Sequence, residues 1–139
     1  MTNYYFFLKK LKEYEPYEIE ASKRIENFNN VSTIFRCNTN EYDFKTSDDK
    51  TYEVKTDKMS LSTNNFYIEF EGYGKPSGIK TTISDYYIFS DTINYYCIPT
   101  IVLKQIIQTC NYRIKDNSFN NAKGYIINKY HIINLSYLI

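Results

Sequence analysis

Two acidic residues and a lysine in the first half of the chain have the types and spacing of a site for a divalent cation. Asp43 precedes a polar turn at residues 47–50, and Glu53 and Lys55 follow it. Because side chains alternate across a strand, Glu53 and Lys55 share one face of a predicted strand at residues 51–57. Two carboxylates on one face repel each other unless a positive group lies between them, and a hard divalent cation with oxygen ligands is the usual one.

The register of two strands decides whether this site exists. Residues 41–46 and 51–57 are predicted as an antiparallel pair, in which directly opposite residues lie on the same face. Asp43 must therefore lie opposite Glu53 or Lys55, which leaves a loop with an odd number of residues. If Asp43 faced Val54 instead, the two carboxylates would lie on opposite faces.

Asp43 followed by Glu53-Val54-Lys55 on the next strand resembles the PD-(D/E)XK nucleases, the restriction-endonuclease-like superfamily. The resemblance covers about half of the chain, residues 41–108, where the succession of strand, turn, strand, strand and helix looks like that of small phage and viral members. It implies an α/β (α+β) fold in which a mixed central β-sheet is flanked by helices, formed by a single domain of residues 1–139.

The resemblance also implies a metal-dependent endonuclease that hydrolyses phosphodiester bonds in DNA and leaves a 5′-phosphate and a 3′-hydroxyl. Asp43 and Glu53 would hold Mg²⁺ or Mn²⁺ together with the main-chain carbonyl of Val54. The metal would lower the pKa of a water that attacks the phosphate. Lys55 would orient that water or stabilise the developing charge.

A glutamate from the first core helix is a further catalytic residue in many members of this superfamily. The strongest early helix prediction is residues 17–27, with Pro16 in the first turn, where its missing N–H costs nothing. Residues 4–13 are predicted as a separate short helix or an extended cap. Glu18, at the border of the apolar face, matches the position better than Glu20, although a solvated helix carboxylate is the alternative. The apolar face consists of Tyr17, Ala21, Ile25 and Phe28.

A glycine-rich loop at residues 72–82 is the candidate for contacts with nucleic-acid phosphates. It contains three of the four glycines of the chain, which allow unusual backbone angles and close approach. A structural turn is the alternative. Glu69, on a strand predicted at residues 66–71, could either support the acidic pair or face solvent. The candidate phosphate donors in the loop are Lys75, Ser77, Lys80, Thr81 and Thr82.

Other elements are predicted from apolar patterning and turn residues. A strand at residues 31–37 should contact apolar groups on both sides and pair with the strand of Asp43. A helix capped by Thr100 should bury its apolar residues. The predicted core-facing residues of that helix are Ile101, Leu103, Ile106 and Ile107. Residues 86–89 and 95–98 should form a buried hairpin, and residues 124–128 and 131–135 further strands.

Composition limits the function classes. The net charge of +1 is not the footprint of a protein that binds nucleic acid over its whole surface. The charge is unevenly distributed, however, because residues 1–74 carry ten Lys and Arg against thirteen Asp and Glu, whereas residues 75–139 carry seven against three. An acidic half could hold metal and a basic half could hold phosphate.

The cysteines and the single histidine argue against other chemistries. No C-x-x-C pair is formed by Cys37, Cys97 and Cys110, so the sequence predicts neither a zinc site nor a disulfide framework. Free cysteines favour an intracellular setting, which is the cytoplasm or the nucleus of the host cell if the protein is viral. His131 lies in an apolar run and is expected to be buried, which disfavours a histidine-dependent triad. No segment is long and apolar enough to span a membrane.

The expected partner is DNA, branched or duplex, although the sequence does not separate DNA from RNA. We expect a small, structure-selective endonuclease similar to a Holliday-junction resolvase and acting as a homodimer. One alternative is a catalytically inactive nucleic-acid-binding or assembly protein that keeps the nuclease fold. Another is a β-rich interaction module in which Glu53-Val54-Lys55 is only a solvated surface.

Overall fold

The computed structural model describes residues 2–36, 42–117 and 121–139, and it leaves the side chains of residues 2–12, 35 and 117 undescribed. Cys37, and Glu41 at the start of the first predicted hairpin strand, lie outside the described residues. Strands and helices follow one another along the chain as α1 (Thr2–Asn29), β1 (Thr33–Arg36), β2 (Phe44–Thr46), β3 (Thr51–Thr56), α2 (Ser60–Thr63), β4 (Asn65–Gly72), β5 (Lys75–Pro76), a 3-10 turn (Gly78–Lys80), β6 (Tyr86–Ser90), β7 (Tyr95–Pro99), α3 (Thr100–Thr109), β8 (Arg113–Asn117), β9 (Ala122–Asn128), α4 (Lys129–Ile133) and β10 (Tyr137–Leu138).

A mixed six-stranded sheet forms the centre of the fold. Its strand order is β1-β2-β3-β6-β7-β10, and β3 and β6 run parallel while the other neighbours are antiparallel. Parallel neighbours need a crossover connection, and here the crossover contains β4 and β5. The predicted mixed central sheet flanked by helices is confirmed.

A second sheet of four antiparallel strands, in the order β5-β4-β9-β8, packs against the first. Its apolar face carries Phe66, Ile68 and Ile127, each at most 2% exposed, which contact Tyr87 and Phe89 of β6 in one core cluster. Leu103 and Ile106 of α3 close this cluster from the side. The alternation of β4 predicted this buried face correctly.

Helix α1 covers the opposite face of the six-stranded sheet. Ala21 and Ile25 are at most 1% exposed and pack with Tyr52 and Val54 of β3. The prediction that Pro16 starts a helix is wrong, because α1 runs for 28 residues with Pro16 inside it. Proline removes one backbone hydrogen bond, but its fixed φ fits the helix, so packing of the following turns maintains the element. Within the described residues, no helix combines the length and apolar character needed to cross a membrane.

Three apolar residues predicted to be in the core are exposed: Phe28 at 53%, Ile34 at 56% and Ile101 at 66%. Ile34 lies on β1, an edge strand with one strand neighbour. Ile101 precedes Leu103 by two positions, which places the two side chains on opposite sides of a helix. Thr100 is the first residue of α3 and makes no capping bond.

Residues 131–135 do not form the predicted strand. The side chain of Asn128 accepts a hydrogen bond from the N–H of Tyr130 at 2.9 Å, which caps the short helix α4. His131 is exposed on this helix, so the prediction of a buried histidine is wrong. The β-branched residues of the segment suggested a strand, but the local cap determines its conformation.

A buried ion pair links α4 to the turn between β6 and β7. The Nζ atom of Lys129 lies 3.1 Å from Oδ2 of Asp91, and the two residues are 7% and 1% exposed. Burial raises the pKa of Asp91, but the N–H groups of Asn94 and Ile93 and the ammonium of Lys129 outweigh it and hold the pKa below its ordinary value. The pair therefore stabilises the fold above the unfolded-state pKa of Asp91, and this contribution is lost as the pH falls.

We predict that Lys129→Met lowers the free energy of unfolding by about 3 kcal/mol, because it leaves Asp91 buried without its counter-ion. Urea denaturation at neutral pH measures the loss. Lys104→Met on α3 is the control and should change stability by less than about 0.5 kcal/mol. Adding Asp91→Asn to Lys129→Met should recover part of the loss, because the buried charge is then removed. Equal losses of stability in Lys129→Met and Lys104→Met would contradict a stabilising role of the buried ion pair.

Candidate functional site

The β2–β3 hairpin places Asp43 beside Glu53. Phe44 pairs with Tyr52 and Lys45 with Thr51, and Asp43 lies just before this ladder, where its N–H donates to the carbonyl of Tyr52. The loop consists of three residues, 47–49, closed by a bond between the flanking residues, and its last residue has a left-handed backbone at φ 63°. Such a residue is typical of three-residue hairpin loops. The odd loop length required by the sequence is confirmed, but the strand pairing ends at Phe44, so Asp43 is not a ladder partner of Glu53.

Backbone groups fix the position of Asp43. The N–H of Val54 donates to Oδ2 of Asp43 at 2.6 Å, and the N–H of Asp43 donates to the carbonyl of Tyr52 at 2.8 Å. The N–H and C=O of one strand residue point to the same edge, so the Val54 carbonyl faces the edge where Asp43 lies. The carboxylate and the carbonyl are therefore neighbours.

Lys55 supplies the positive charge. Its Nζ atom lies 3.0 Å from Oε1 of Glu53, and the side chains of Lys55 and Glu53 are 42% and 18% exposed. Burial lowers the pKa of Lys55, but Glu53, Tyr87 and Asp43 outweigh it and raise the pKa above its ordinary value. Lys55 is therefore a permanent ammonium at neutral pH, which suits charge stabilisation and excludes a role as a general base.

Glu18 approaches this group from α1. Burial raises its pKa, and the negative charges of Glu53 and Glu15 add to the effect, while Arg36 and Lys55 oppose it. Glu18 is therefore within electrostatic range of the hairpin residues. We refer to Glu18, Asp43, Glu53 and Lys55 as the acid–lysine cluster.

Asp43 is the most perturbed carboxyl group of the acid–lysine cluster. Burial, followed by the charges of Glu53 and Glu18, raises its pKa to about 7, against the opposing effects of the Val54 N–H and Lys55. A carboxyl group with such a pKa shift, placed among other carboxylates, is typical of a functional site.

The ligand set fits a hard cation in type but is not gathered into a cage. Asp43, Glu53 and the Val54 carbonyl are all oxygen donors, which Mg²⁺ and Mn²⁺ prefer. Across the described ranges, however, no three His, Cys, Asp or Glu side chains lie close enough together to hold a metal ion. Glu53 is engaged by Lys55, so binding of a cation would require Glu53 to share or exchange this partner.

Gly78 is the glycine of this loop that close packing requires. Gly78 has φ 55°, and a β-carbon there would lie 2.2 Å from the carbonyl oxygen of Glu69. Backbone N–H groups of Ser77, Lys80, Thr81 and Thr82 donate within the protein. The loop can therefore offer side chains to a phosphate, but not these four backbone donors.

The candidate phosphate donors of this loop have different surroundings. Lys75 is exposed, Lys80 lies 4.8 Å from the ring centre of Phe70, and the hydroxyl of Thr81 makes a long contact of 3.5 Å with the carbonyl of Gly78. Thr82 is hydrogen-bonded to Tyr87, which is the strand neighbour of Glu53 in the acid–lysine cluster.

Glu69 is not a strand neighbour of Glu53. Its strand, β4, belongs to the four-stranded sheet, and its carboxylate accepts a hydrogen bond from Ser77 at 2.9 Å. Of the two alternatives for Glu69, sheet pairing with the acidic pair is therefore excluded, because β3 and β4 lie in different sheets.

A cleft of about 280 Å³ adjoins the acid–lysine cluster. It brings together residues of α1, the end of β3, β4 and β8, and Lys55 belongs to both the cleft and the cluster. Sequence patterning could not identify this cleft, since it depends on pairing between distant strands. The lining residues are Tyr14, Lys55, Thr56, Asp57, Tyr67 and Lys115.

Comparisons with family models, curated proteins and solved structures found no match for this chain. Its function is therefore argued from the chemistry of the acid–lysine cluster and its surroundings.

We predict that Asp43→Asn stabilises the metal-free protein above neutral pH. The folded protein retains the Asp43 proton between pH 3.8 and about 7, where the unfolded chain has released it. The free energy of unfolding of the wild type therefore falls as the pH rises through this range. The variant does not lose this stability, because asparagine does not titrate. Asparagine can still accept from the Val54 N–H.

Urea denaturation in EDTA checks this expectation. The free energy of unfolding of the variant should equal that of the wild type near pH 4 and exceed it by about 1–2 kcal/mol near pH 8. This figure allows for solvent screening of the partly exposed carboxyl group. Asp49→Asn, in the exposed hairpin loop, is the control. If the free energies of unfolding of Asp43→Asn and the wild type differ by the same amount at every pH, the pKa of Asp43 is not raised in the folded protein.

Proposed function

We propose that this chain is a metal-dependent endonuclease that hydrolyses phosphodiester bonds in DNA, with the acid–lysine cluster as its active site. The observation that carries the proposal is the geometry of the hairpin: the carboxylate of Asp43 accepts a hydrogen bond from the N–H of Val54 at 2.6 Å, while Lys55 lies 3.0 Å from Glu53. This is the constellation of the PD-(D/E)XK nucleases that the sequence resembles. A solvated strand surface would not be expected to bring three carboxylates together and raise the pKa values of two of them, Glu18 and Asp43.

Each residue of the cluster has a distinct role in this proposal. Asp43, Glu53 and the Val54 carbonyl would hold Mg²⁺ or Mn²⁺, which when bound polarises the phosphate and lowers the pKa of a water. Lys55 stays protonated and stabilises negative charge as it develops on the phosphate. Glu18 contributes a further carboxylate from α1, and we assign it the orientation of the attacking water.

We further propose branched or duplex DNA as the substrate and a homodimer as the active assembly, similar to a Holliday-junction resolvase. Two copies would present one active site to each of two strands. Both parts of this proposal derive from the resemblance.

A catalytically inactive protein that binds nucleic acid is the second candidate. It is favoured by the ion pair between Lys55 and Glu53, which satisfies a carboxylate that a metal would need. The absence of a gathered three-ligand group from the described part of the chain favours it as well. The two candidates differ in cleavage and in metal binding.

We predict that Lys55→Met lowers the cleavage rate at least about 100-fold, the loss expected when a group that stabilises transition-state charge is removed. The assay uses fluorescein-labelled four-way junction, duplex and single-stranded DNA, and single-stranded RNA, with Mn²⁺, Mg²⁺ or EDTA. Lys50→Met, at an exposed position of the same hairpin, is the matched control and should cleave like the wild type. Equal degradation by wild type and Lys55→Met would show that this site does not perform the reaction.

We also predict that Mn²⁺ raises the thermal midpoint of the wild type, because a ligand that binds only the folded state stabilises it. The gain is about 2.7 kcal/mol at a metal concentration 100 times the dissociation constant. Differential scanning fluorimetry with and without Mn²⁺ measures the shift. Glu53→Gln should abolish it, whereas Asp49→Asn should leave it intact. A wild type that does not respond to saturating Mn²⁺ would favour the inactive candidate.

A further inference from the structure

The four-stranded sheet carries a polar face on the side opposite its apolar core residues. Cross-strand partners lie on the same face of a sheet, so each row of partners in β4, β9 and β8 can be followed across it. Tyr67, Ile126 and Arg113 form one row. Glu69, Gly124 and Lys115 form the adjacent row. We call these six residues, with Asn65 and Asn128 of the next row, the polar sheet face.

One end of the polar sheet face opens into the cleft beside the acid–lysine cluster. Tyr67 and Lys115 line this cleft together with Lys55, whose ammonium also contacts Glu53. The ring of Tyr67 fills the space above Gly124, where an added β-carbon would lie 2.4 Å from it. Glycine at this position therefore lets an aromatic ring lie close to the sheet.

The other end of the polar sheet face forms a second groove of about 470 Å³. Its wall includes Tyr112, whose hydroxyl lies 3.1 Å from Nδ1 of His131. Arg113 and Ile126 line this groove and belong to the same row as Tyr67, so the groove and the cleft are adjacent along the sheet. The groove also contains the amide side chains of Asn65, Asn111 and Asn128.

From this geometry we infer that the polar sheet face is a track for single-stranded nucleic acid that leads a strand to the acid–lysine cluster. The inference rests on the proposed nuclease function, and it narrows the substrate class from branched or duplex DNA to nucleic acid with unpaired nucleotides next to the scissile phosphate. Lys55, Lys115 and Arg113 supply positive charge along the track, which is complementary to a phosphate backbone.

The carboxylates near the track are already engaged within the protein. Asp57 accepts a hydrogen bond from the N–H of Tyr67 at 3.2 Å, and Glu69 accepts one from Ser77 at 2.9 Å. These hydrogen bonds fix the positions of the two carboxylates, and the cations along the track outnumber them.

Aromatic rings next to cations are the usual means of binding unpaired bases. Bases stack on aromatic side chains, and four-stranded sheets that bind RNA typically stack two or three of them. Tyr67 in the cleft is the candidate stacking residue here, whereas Tyr112 packs in part against the apolar core and forms the wall of the second groove. Successive rows on one face are about 7 Å apart, so the face accommodates a short extended strand.

Fluorescence anisotropy in EDTA tests this track without any contribution from cleavage. The probes are labelled oligothymidylate and oligouridylate of about 12 nucleotides, with a duplex of equal length for comparison. Arg113→Ala with Lys115→Ala should weaken binding of the single strands at least tenfold. The slope of log affinity against log salt should fall by about 1.4, or about 0.7 for each phosphate contact removed.

Two paired variants serve as controls. Lys50→Ala with Lys104→Ala removes the same amount of positive charge at two other places. Lys50 lies next to the hairpin loop, and Lys104 lies on α3, which packs on the core side of the four-stranded sheet, so binding should not change. Arg113→Lys with Lys115→Arg keeps the charge and should retain most of the affinity. The two oligonucleotides determine whether the track prefers DNA or RNA.

Three results would overturn the track: wild-type affinity in Arg113→Ala with Lys115→Ala, an equal loss in the charge-matched control, or duplex binding as tight as single-strand binding. Failure of the nuclease proposal looks different. In that case single strands would bind as expected, but no probe would be cleaved with Mn²⁺. Conversely, if cleavage is lost in Lys55→Met but not in Arg113→Ala with Lys115→Ala, the nuclease proposal stands and the proposal of a single-strand track is wrong.

Discussion

The mutual repulsion of partly buried carboxylates is the constraint that shapes this molecule. Two unit charges 4 Å apart interact by about 4 kcal/mol at an effective dielectric constant of 20. The hairpin nevertheless fixes Asp43 beside Glu53, with one backbone N–H and the ammonium of Lys55 as compensation. Such an arrangement reduces stability, and proteins typically retain it where the charges serve a function.

The parallel pairing of β3 with β6 explains where the acid–lysine cluster lies. The crossover between these strands carries β4 into a separate sheet, which packs back against β6. The charged side of β3 is consequently not an open solvent face but the wall of a crevice between the two sheets. Tyr87 is buried beside Glu53 for this reason, and Lys55 reaches from the crevice into the neighbouring cleft.

Local patterns predicted the elements of this fold better than their arrangement. Alternation identified β3 and β4, short apolar runs identified β6 and β7, and the odd loop length followed from requiring Asp43 and Glu53 on one face. Pro16 inside α1 and the helix that begins after Asn128 were missed, because tertiary packing and a side-chain cap outweigh the local preferences. The separate sheet could not be predicted, since β4, which ends at Gly72, pairs with β9, which begins only at Ala122. The cleft and the polar sheet face depend on that pairing.

The bond between Arg24 and Ile139 has a consequence for how the chain assembles. The guanidinium donates to the carbonyl of a residue 115 positions away, and the N–H of Ile139 donates to Tyr95 on β7. Contacts of such high sequence separation slow folding, because chain entropy is lost before the contact compensates for it. During synthesis on the ribosome, β7 emerges long before β10 can pair with it, and its uncovered edge is then open to misassociation with other nascent chains.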